Sequence, residues 1–416
     1  MVFTTLAHHI DIDLLLEAYR RTRKDSAPGV DGQTGADYAV NLEGNLEDLL
    51  NRFKSGKYRA PPVRRVDIPK GDGGKTRPIG IPTFEDKVLQ RAVTMVLEAV
   101  YEQDFLSCSY GFRPGRSAHQ ALEELWSGLM DMAGGWVLDV DIQDFFGSLD
   151  HSHLRAFLDQ RMRDGVIRRA IGKWLNAGVL EGGNLTRPES GSPQGGVVSP
   201  LLSNIYLHEV LDKWFVFEVL PRLRGPAFLI RYADDFVIVC ALEYDARRVM
   251  EVLPKRLGRF GLTIHPDKTR MIPFWRPPNG GPKEKASFDL LGFTHFWARS
   301  RKGWWIVKRQ TSKGRLRRTV KRIATWCRTN RHRPIAEQHR RLSQMLRGHD
   351  AYFGITGNSR ALQSLRLAVS KVWRVWLNRR SSNSSMDWGK FGRLLQRYPL
   401  PGARVMHSVY QAPQRI

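Results

Sequence analysis

The sequence predicts two kinds of structure in series: a mixed α/β or α+β part over residues 1–300, then a basic helical part. Three observations lead there. Short β-prone segments (Trp136–Val140, Phe228–Tyr232 with Phe236–Cys240, Phe288–Phe296) alternate with longer helical patterns such as Asp86–Val100 and Ser117–Leu129, and such alternation marks a mixed fold. Further on, Leu316, Val320, Ile323 and Cys327 recur at helix spacing, as do Leu362, Leu365, Val369, Val372, Trp373 and Trp376, which predicts packed helices. Charge also concentrates there: Arg299 to Arg347 holds 17 Lys+Arg against one acid, Glu337. Like-charge repulsion makes such a segment costly to compact unless phosphates neutralise it. Gly348 and Gly354 are expected to punctuate the helices.

The chain has 416 residues, too many for one ordinary domain, and 42% hydrophobic residues, enough for real cores. The formal net charge is +25, from 66 Lys+Arg against 41 Asp+Glu. That excess asks for an anionic partner, and nucleic acid is the polyanion that suits it. Cys108, Cys240 and Cys327 are few and far apart, so neither a disulfide framework nor a zinc cluster is expected, which fits a reducing compartment. The N-terminus lacks the basic flank and apolar core of a secretory signal. The most apolar stretch, near Phe228, is interrupted by Arg231, Asp234 and Asp235, so no membrane span and no membrane partner is expected. Lys70–Pro82 and Trp275–Lys283 are rich in Gly and Pro and read as turns or loops.

Carboxylates carry the chemistry. Tyr232-Ala233-Asp234-Asp235 lies between two apolar β-prone stretches, the pattern of a hairpin with paired acids at its tip. Adjacent acids in a turn are ordinarily turn formers. A second acidic strand, Val137-Leu138-Asp139-Val140-Asp141-Ile142-Gln143-Asp144-Phe145-Phe146, changes the reading. Carboxylates from separate strands that meet repel one another unless a divalent cation lies between them. Hard oxygen ligands of this kind select Mg²⁺ and suit two-metal phosphoryl transfer. Alternation puts Asp139 and Asp141 on one face, and Asp144 begins the next turn, so spacing alone does not choose among them.

Several blocks in order give the chain a family likeness. They are Ala27-Pro28-Gly29-Val30-Asp31-Gly32, Thr76–Pro82, Ser109-Tyr110-Gly111-Phe112-Arg113-Pro114, the Asp141 strand, Gly191-Ser192-Pro193-Gln194-Gly195-Gly196, Tyr232–Asp235, Gly261–Lys268 and Leu290-Leu291-Gly292-Phe293, followed by Gly348 and Tyr352-Phe353. With them the chain resembles a group II intron-encoded reverse transcriptase/maturase over nearly its whole length. The likeness is to the short form, since nothing here has the paired Cys and His spacing of the family's zinc-dependent endonuclease.

The resemblance implies an α+β right hand. Fingers and palm, with an antiparallel palm sheet, take residues 1–300; an α-helical thumb/maturase domain takes 301–380; a short basic DNA-contacting tail takes 381–416. It implies RNA-directed DNA synthesis from a primer 3′-OH, with dNTPs on an RNA template, through two Mg²⁺ ions for which Mn²⁺ substitutes. Asp141, Asp234 and Asp235 are the implied catalytic, metal-binding acids, with Ile142 in the metal set. The family's motif has its first acid five residues before an aromatic, and that resemblance selects Asp141 over Asp139. Phe146 is the implied gate against a ribose 2′-OH, Lys70 and Arg77 hold the triphosphate, Gln194 lies under the nucleotide, and Lys268 stands near the leaving pyrophosphate.

The implied partners are the group II intron RNA, a template with a DNA or RNA primer, target DNA and dNTPs, in the bacterial cytosol or nucleoid. On a helix Arg317 aligns with Lys321 and Arg318 with Arg322, in two cationic rows suited to an RNA backbone. Two other readings remain. An inactive splicing cofactor is expected to lose metal acids, and here all three remain. A host-adopted relative in phage defence or DNA repair would share every polymerase motif.

Overall fold

The computed structural model describes residues 1–69, 76–181, 184–186, 195–278, 286–380 and 385–408. The chain divides into two compact units, Met1–Pro273 and Phe274–Ile416.

In the first unit a sheet runs in the order Arg270–Trp275, Gly134–Val140, Asp235–Cys240, Ala227–Tyr232. Asp235–Cys240 pairs antiparallel with both its neighbours, Val137 facing Val239 and Leu229 facing Ile238. Val137, Leu138, Val237, Ile238 and Val239 are all fully buried. A strand covered on both faces has no reason to alternate, and this one reads as a continuous apolar run. The helices Phe84–Tyr101 and Ala118–Asp131 form where the apolar periodicity put them. Thr83 and Ser117 cap them by accepting from the backbone N–H of Asp86 and Gln120.

A second sheet places Thr76–Ile81 at its edge beside Val63–Pro69, then Val179–Glu181 and Asn184–Thr186. The Thr76–Pro82 block is therefore mainly an antiparallel strand, where the Gly and Pro content suggested a turn. Pro78 is tolerated because the strand is an edge, where a missing N–H breaks no ladder.

The second unit begins with the antiparallel sheet Ser287–Leu290, Phe293–Arg299, Trp305–Thr311. What reads in sequence as one β segment is split at Leu291-Gly292, both with positive φ (51° and 83°). Among the described residues four helices follow: Lys313–Thr329, Ile335–Phe353, Ser359–Asn378 and Trp388–Arg397. Ile323, Cys327, Leu342, Leu346, Leu365, Val369, Trp373 and Phe391 build their common core, with Leu316 and Val320 packed against it. Gly354 ends a helix as expected, but Gly348 does not: it sits inside Ile335–Phe353 with its solvent side open. Phe391, in the 381–416 segment, packs edge-on against Trp373, so that segment's helix belongs to the same core.

Candidate functional site

The hairpin is tighter than its sequence required. Tyr232 pairs directly with Asp235, leaving Ala233 and Asp234 as a two-residue turn, and Ala233 takes a φ of 59° that non-glycine residues seldom adopt. Such a conformation persists only where the surroundings enforce it, and here they do. Gly111 presses against the turn so closely that a Cβ on it would lie 2.3 Å from the Ala233 nitrogen. Ser109 bridges Arg231 in parallel, with the Tyr110 N–H donating to the Arg231 carbonyl and the Arg231 N–H to the Cys108 carbonyl. The start of the Ser109–Pro114 block is thus bridged to the edge strand of the sheet at Arg231.

Beneath the turn Arg231 is fully buried. Its Nε and Nη2 donate to the two carboxylate oxygens of Asp212 at 2.7 and 2.6 Å, Nη1 donates to Asn204 Oδ1 and the Ala233 carbonyl at 3.0 Å each, and Nη2 also reaches Ser109 Oγ at 2.7 Å. All five donors of the guanidinium fork are used. Asn204 in turn donates to the Gly111 carbonyl at 2.7 Å. Sequence reasoning missed Ser109, Asn204, Asp212 and Arg231 as supports of the site. The one available signal was an arginine inside an apolar strand, which has to be paired when buried.

Around the tip stand four acids. Asp139 is the penultimate residue of the strand Gly134–Val140, and Asp141 falls between that strand and the short pairing of Ile142 with Ile264. Desolvation by the surrounding chain, then repulsion from Asp234, Asp141 and Asp139, pushes the Asp235 carboxyl up to about 6, while Arg77 pulls it down. Asp235 keeps an exposed surface; the protein crowds it without enclosing it. Two cations already answer Asp141 and Asp139. Lys268 Nζ donates to both oxygens of Asp141, at 3.1 and 2.9 Å, and Arg270 Nη2 to Asp139 at 2.8 Å. The backbone agrees, as the His265 N–H donates to the Asp141 carbonyl at 2.8 Å. Phe145 is buried, whereas Phe146 is half-buried and meets it edge-on at 5.3 Å.

Among the described residues no three His, Cys, Asp or Glu side chains converge closely enough to hold a metal ion. The donor chemistry nevertheless fits a divalent cation: hard carboxylate oxygens whose mutual repulsion already shows at Asp235. The pair that turns Asp141 aside is exposed, with 50% of Lys268 and 36% of Asp141 accessible. Such a pair is worth at most about 1 kcal/mol, which a divalent ion readily outcompetes.

A second, buried network sets the loop after residue 194. Asp86 accepts from the Tyr58 hydroxyl, Trp174 Nε1 and Gln90 Nε2, and Gln90 Oε1 accepts the N–H groups of Val197 and Val198. Burial pushes the Asp86 carboxyl up to about 6. Gly195, at φ 116°, lies against the Gly80 carbonyl with no room for a side chain, which sets Gly195 beside the Thr76–Ile81 strand. The structure therefore gathers Asp141, Asp234, Asp235 and Lys268, and brings the charge of Arg77 within reach of Asp235. Lys70 and Gln194 lie outside the described residues. Arg317, Arg318, Lys321 and Arg322 lie exposed on the helix Lys313–Thr329 of the other unit.

Comparison with known proteins accords with this geometry. Residues 68–295 match the model of the family described as "Reverse transcriptase (RNA-dependent DNA polymerase)". Residues 315–394 match "Group II intron, maturase-specific domain". The chain is 34% identical over 328 residues to Protein YkfC of Escherichia coli (strain K12), covering 70% of this chain and 82% of that one. It is 38% identical over 215 residues to the group II intron-encoded protein LtrA of Lactococcus lactis subsp. cremoris, covering 51% of this chain and 35% of that protein. It is also similar to an uncharacterized 91 kDa protein in the cob intron of Schizosaccharomyces pombe, at 37% over 202 residues, or 48% of this chain and 24% of that protein. Sheet, acids and family model agree: the chain belongs to the reverse transcriptase family, with a group II intron maturase domain following the polymerase domain. Its enzyme class is that of an RNA-directed DNA polymerase. No described helix is long and apolar enough to cross a membrane.

Proposed function

We propose that this protein extends a primer 3′-OH with dNTPs on an RNA template, and that it binds a group II intron RNA to assist splicing and retrohoming in the bacterial cytosol or nucleoid. The observation that supports this most is the crowding of Asp139, Asp141 and Asp234 around Asp235 at the end of an antiparallel sheet, with the charge of Arg77 reaching it. Residues 1–300 are read as fingers and palm, 301–380 as thumb and maturase domain, and 381–416 as a tail toward target DNA. In that tail Arg393 is exposed while Phe391 is anchored.

Asp141, Asp234 and Asp235, with Ile142 beside them, would hold two divalent cations, Mg²⁺ with Mn²⁺ as substitute. When bound, the cations lower the pKa of the attacking hydroxyl and neutralise charge at the reacting phosphate. The remaining work falls to the chain. Arg77, exposed on an edge strand and already within electrostatic reach of Asp235, holds phosphate oxygens, and its planar fork suits them. Lys70 and Gln194 are proposed to share the nucleotide with it. Phe146, half-exposed on a short turn braced by buried Phe145, excludes a ribose 2′-OH. Lys268, an ammonium beside the carboxylates, is the proton donor for the departing pyrophosphate.

The test is primer extension on an RNA template, together with splicing of the transcript that flanks the gene, for wild type and Asp234→Asn. The variant loses a carboxylate but few phosphate contacts. cDNA synthesis is expected to fall below about a hundredth, since metal catalysis supplies several kcal/mol, with RNA binding and splicing retained. Extension above that level would remove Asp234 from the metal site.

A further inference from the structure

One glycine in the helical unit is out of place. Gly348 lies in the interior of Ile335–Phe353, where glycine weakens a helix relative to almost any other residue, and a Cβ added there meets nothing within 4 Å. It faces a cleft of about 430 Å³ between this helix and Lys313–Thr329. That volume lies in the roughly 300–1,000 Å³ range of sites that hold a small ligand. Arg315, Arg322 and Arg341 rim the cleft, and no acidic residue lines it among the described residues.

The inner wall is of another kind. His349 is 94% buried, at 6% relative exposure, and neither of its ring nitrogens has a hydrogen-bond partner among the described residues. Its ring stacks on Phe353 with centroids 4.6 Å apart. A buried imidazole without partners loses water and gains nothing in exchange, and this one lies in the wall of the cleft. Burial pulls it down to about 4, so at neutral pH it offers one donor and one acceptor, the complement of a base edge or a ribose hydroxyl. A surface that only tracked a duplex backbone would need the arginines. It would need neither the unpartnered imidazole, nor the aromatic wall, nor a glycine that keeps the cleft open.

We propose that this cleft takes a single unpaired RNA nucleotide, its phosphate on the arginine rim and its base against Phe353 and His349. Unpaired bases are the part of an RNA that a protein reads by stacking and edge contacts. The inference rests on the reading that this unit binds RNA, and the experiment separates the two.

The full chain is titrated with a short labelled oligouridylate, the matching oligothymidylate and a blunt RNA duplex. Gly348→Leu fills the cleft from an open helical position, and Gly348→Ala serves as the control for helix content. Gly348→Leu is expected to weaken oligouridylate about tenfold, the scale of one lost base stack, without lowering the melting temperature. Its salt slope and its duplex affinity should stay those of wild type. Arg341→Gln is expected to lower the log–log salt slope by about 0.7, one phosphate contact. In the wild-type protein, oligouridylate carrying 4-thiouridine should crosslink within residues 344–353, a readout that needs no variant to fold. Oligouridylate affinity unchanged in Gly348→Leu, or crosslinks mapping elsewhere, overturns the cleft. Equal loss for oligothymidylate overturns the choice of RNA. Wild-type protein that binds neither RNA overturns the RNA-binding reading itself.

Discussion

Arg231 shows how much of the site depends on one side chain that touches no substrate. It fastens the Ala233 carbonyl, and so the strained turn that bears Asp234, to Asp212, Asn204 and Ser109. Lysine keeps the charge but brings three donors where the fork uses five, leaving at least one buried acceptor unsatisfied at about 1–3 kcal/mol. Arg231→Lys is therefore expected to lower urea-unfolding stability by that amount. A misplacement of the turn by about 1 Å should cost roughly a hundredfold in turnover, with KM for the primer–template and affinity for RNA little changed. Lost stability with unchanged kcat would reduce Arg231 to a packing residue. None of its side-chain partners was legible in the sequence, because they are distant along the chain: Asp212 lies 19, Asn204 27 and Ser109 122 residues away. The acids themselves were legible. Two apolar runs flanking Tyr232–Asp235 specify a hairpin locally, whereas alternation leaves Asp139 and Asp141 alike, and folding gives each its own cation, Arg270 for one and Lys268 for the other.

Among the elements, Lys313–Thr329 matches its sequence pattern closely. Ile323 and Cys327 are buried, Leu316 and Val320 pack beside them, and Arg317, Arg318, Lys321 and Arg322 are exposed. Arg322 lines the cleft described above. The two rows, Arg317 with Lys321 and Arg318 with Arg322, are proposed to follow a phosphate backbone. Changing all four to Gln should weaken binding of a structured RNA and flatten its salt dependence by about 0.7–0.9 in log–log slope per lost contact. Extension on a saturating short primer–template should change much less. Unchanged affinity and slope would move the RNA surface off this helix. Two elements were misjudged, for one reason. Pro78 makes Thr76–Ile81 look like a turn and Gly348 makes Ile335–Phe353 look broken. The first is excused by an edge position and the second by an open cleft, and neither exposure can be read from local sequence.

Acid response belongs to the whole molecule, because the groups that set it are spread over both units. Burial pulls His208 and His295 down to about 3 and His349 to about 4. Each is neutral when folded and takes up a proton on unfolding below its usual value near 6.5. Their stabilising effect is complete above that value and is lost as pH falls toward 4 and then 3. Asp86 and Asp235, pushed up to about 6, act oppositely, because the folded state is the one that binds their protons below pH 6. Asp235 is exposed and so is discounted for screening. Between pH 6 and 4.5 the unfolded chain then holds at least one proton more than the folded one. Stability should fall by about 1.4 kcal/mol or more per pH unit across that window. Urea melts at pH 6 and pH 4.5 check it, and equal or higher stability at the lower pH would mean the histidines are solvated.

Helix and strand periods, the presence of an acidic hairpin, the position of the cationic segment and the order of the motif blocks were legible in the sequence alone, since each depends on neighbours within a turn or a strand. Folding decided which carboxylates face one another, which buried arginine holds the turn, why Gly111 and Gly195 must lack side chains, and that Gly348 opens a cleft. Those outcomes depend on residues far apart in the chain arriving at hydrogen-bond or van der Waals distance, and no local pattern encodes that meeting.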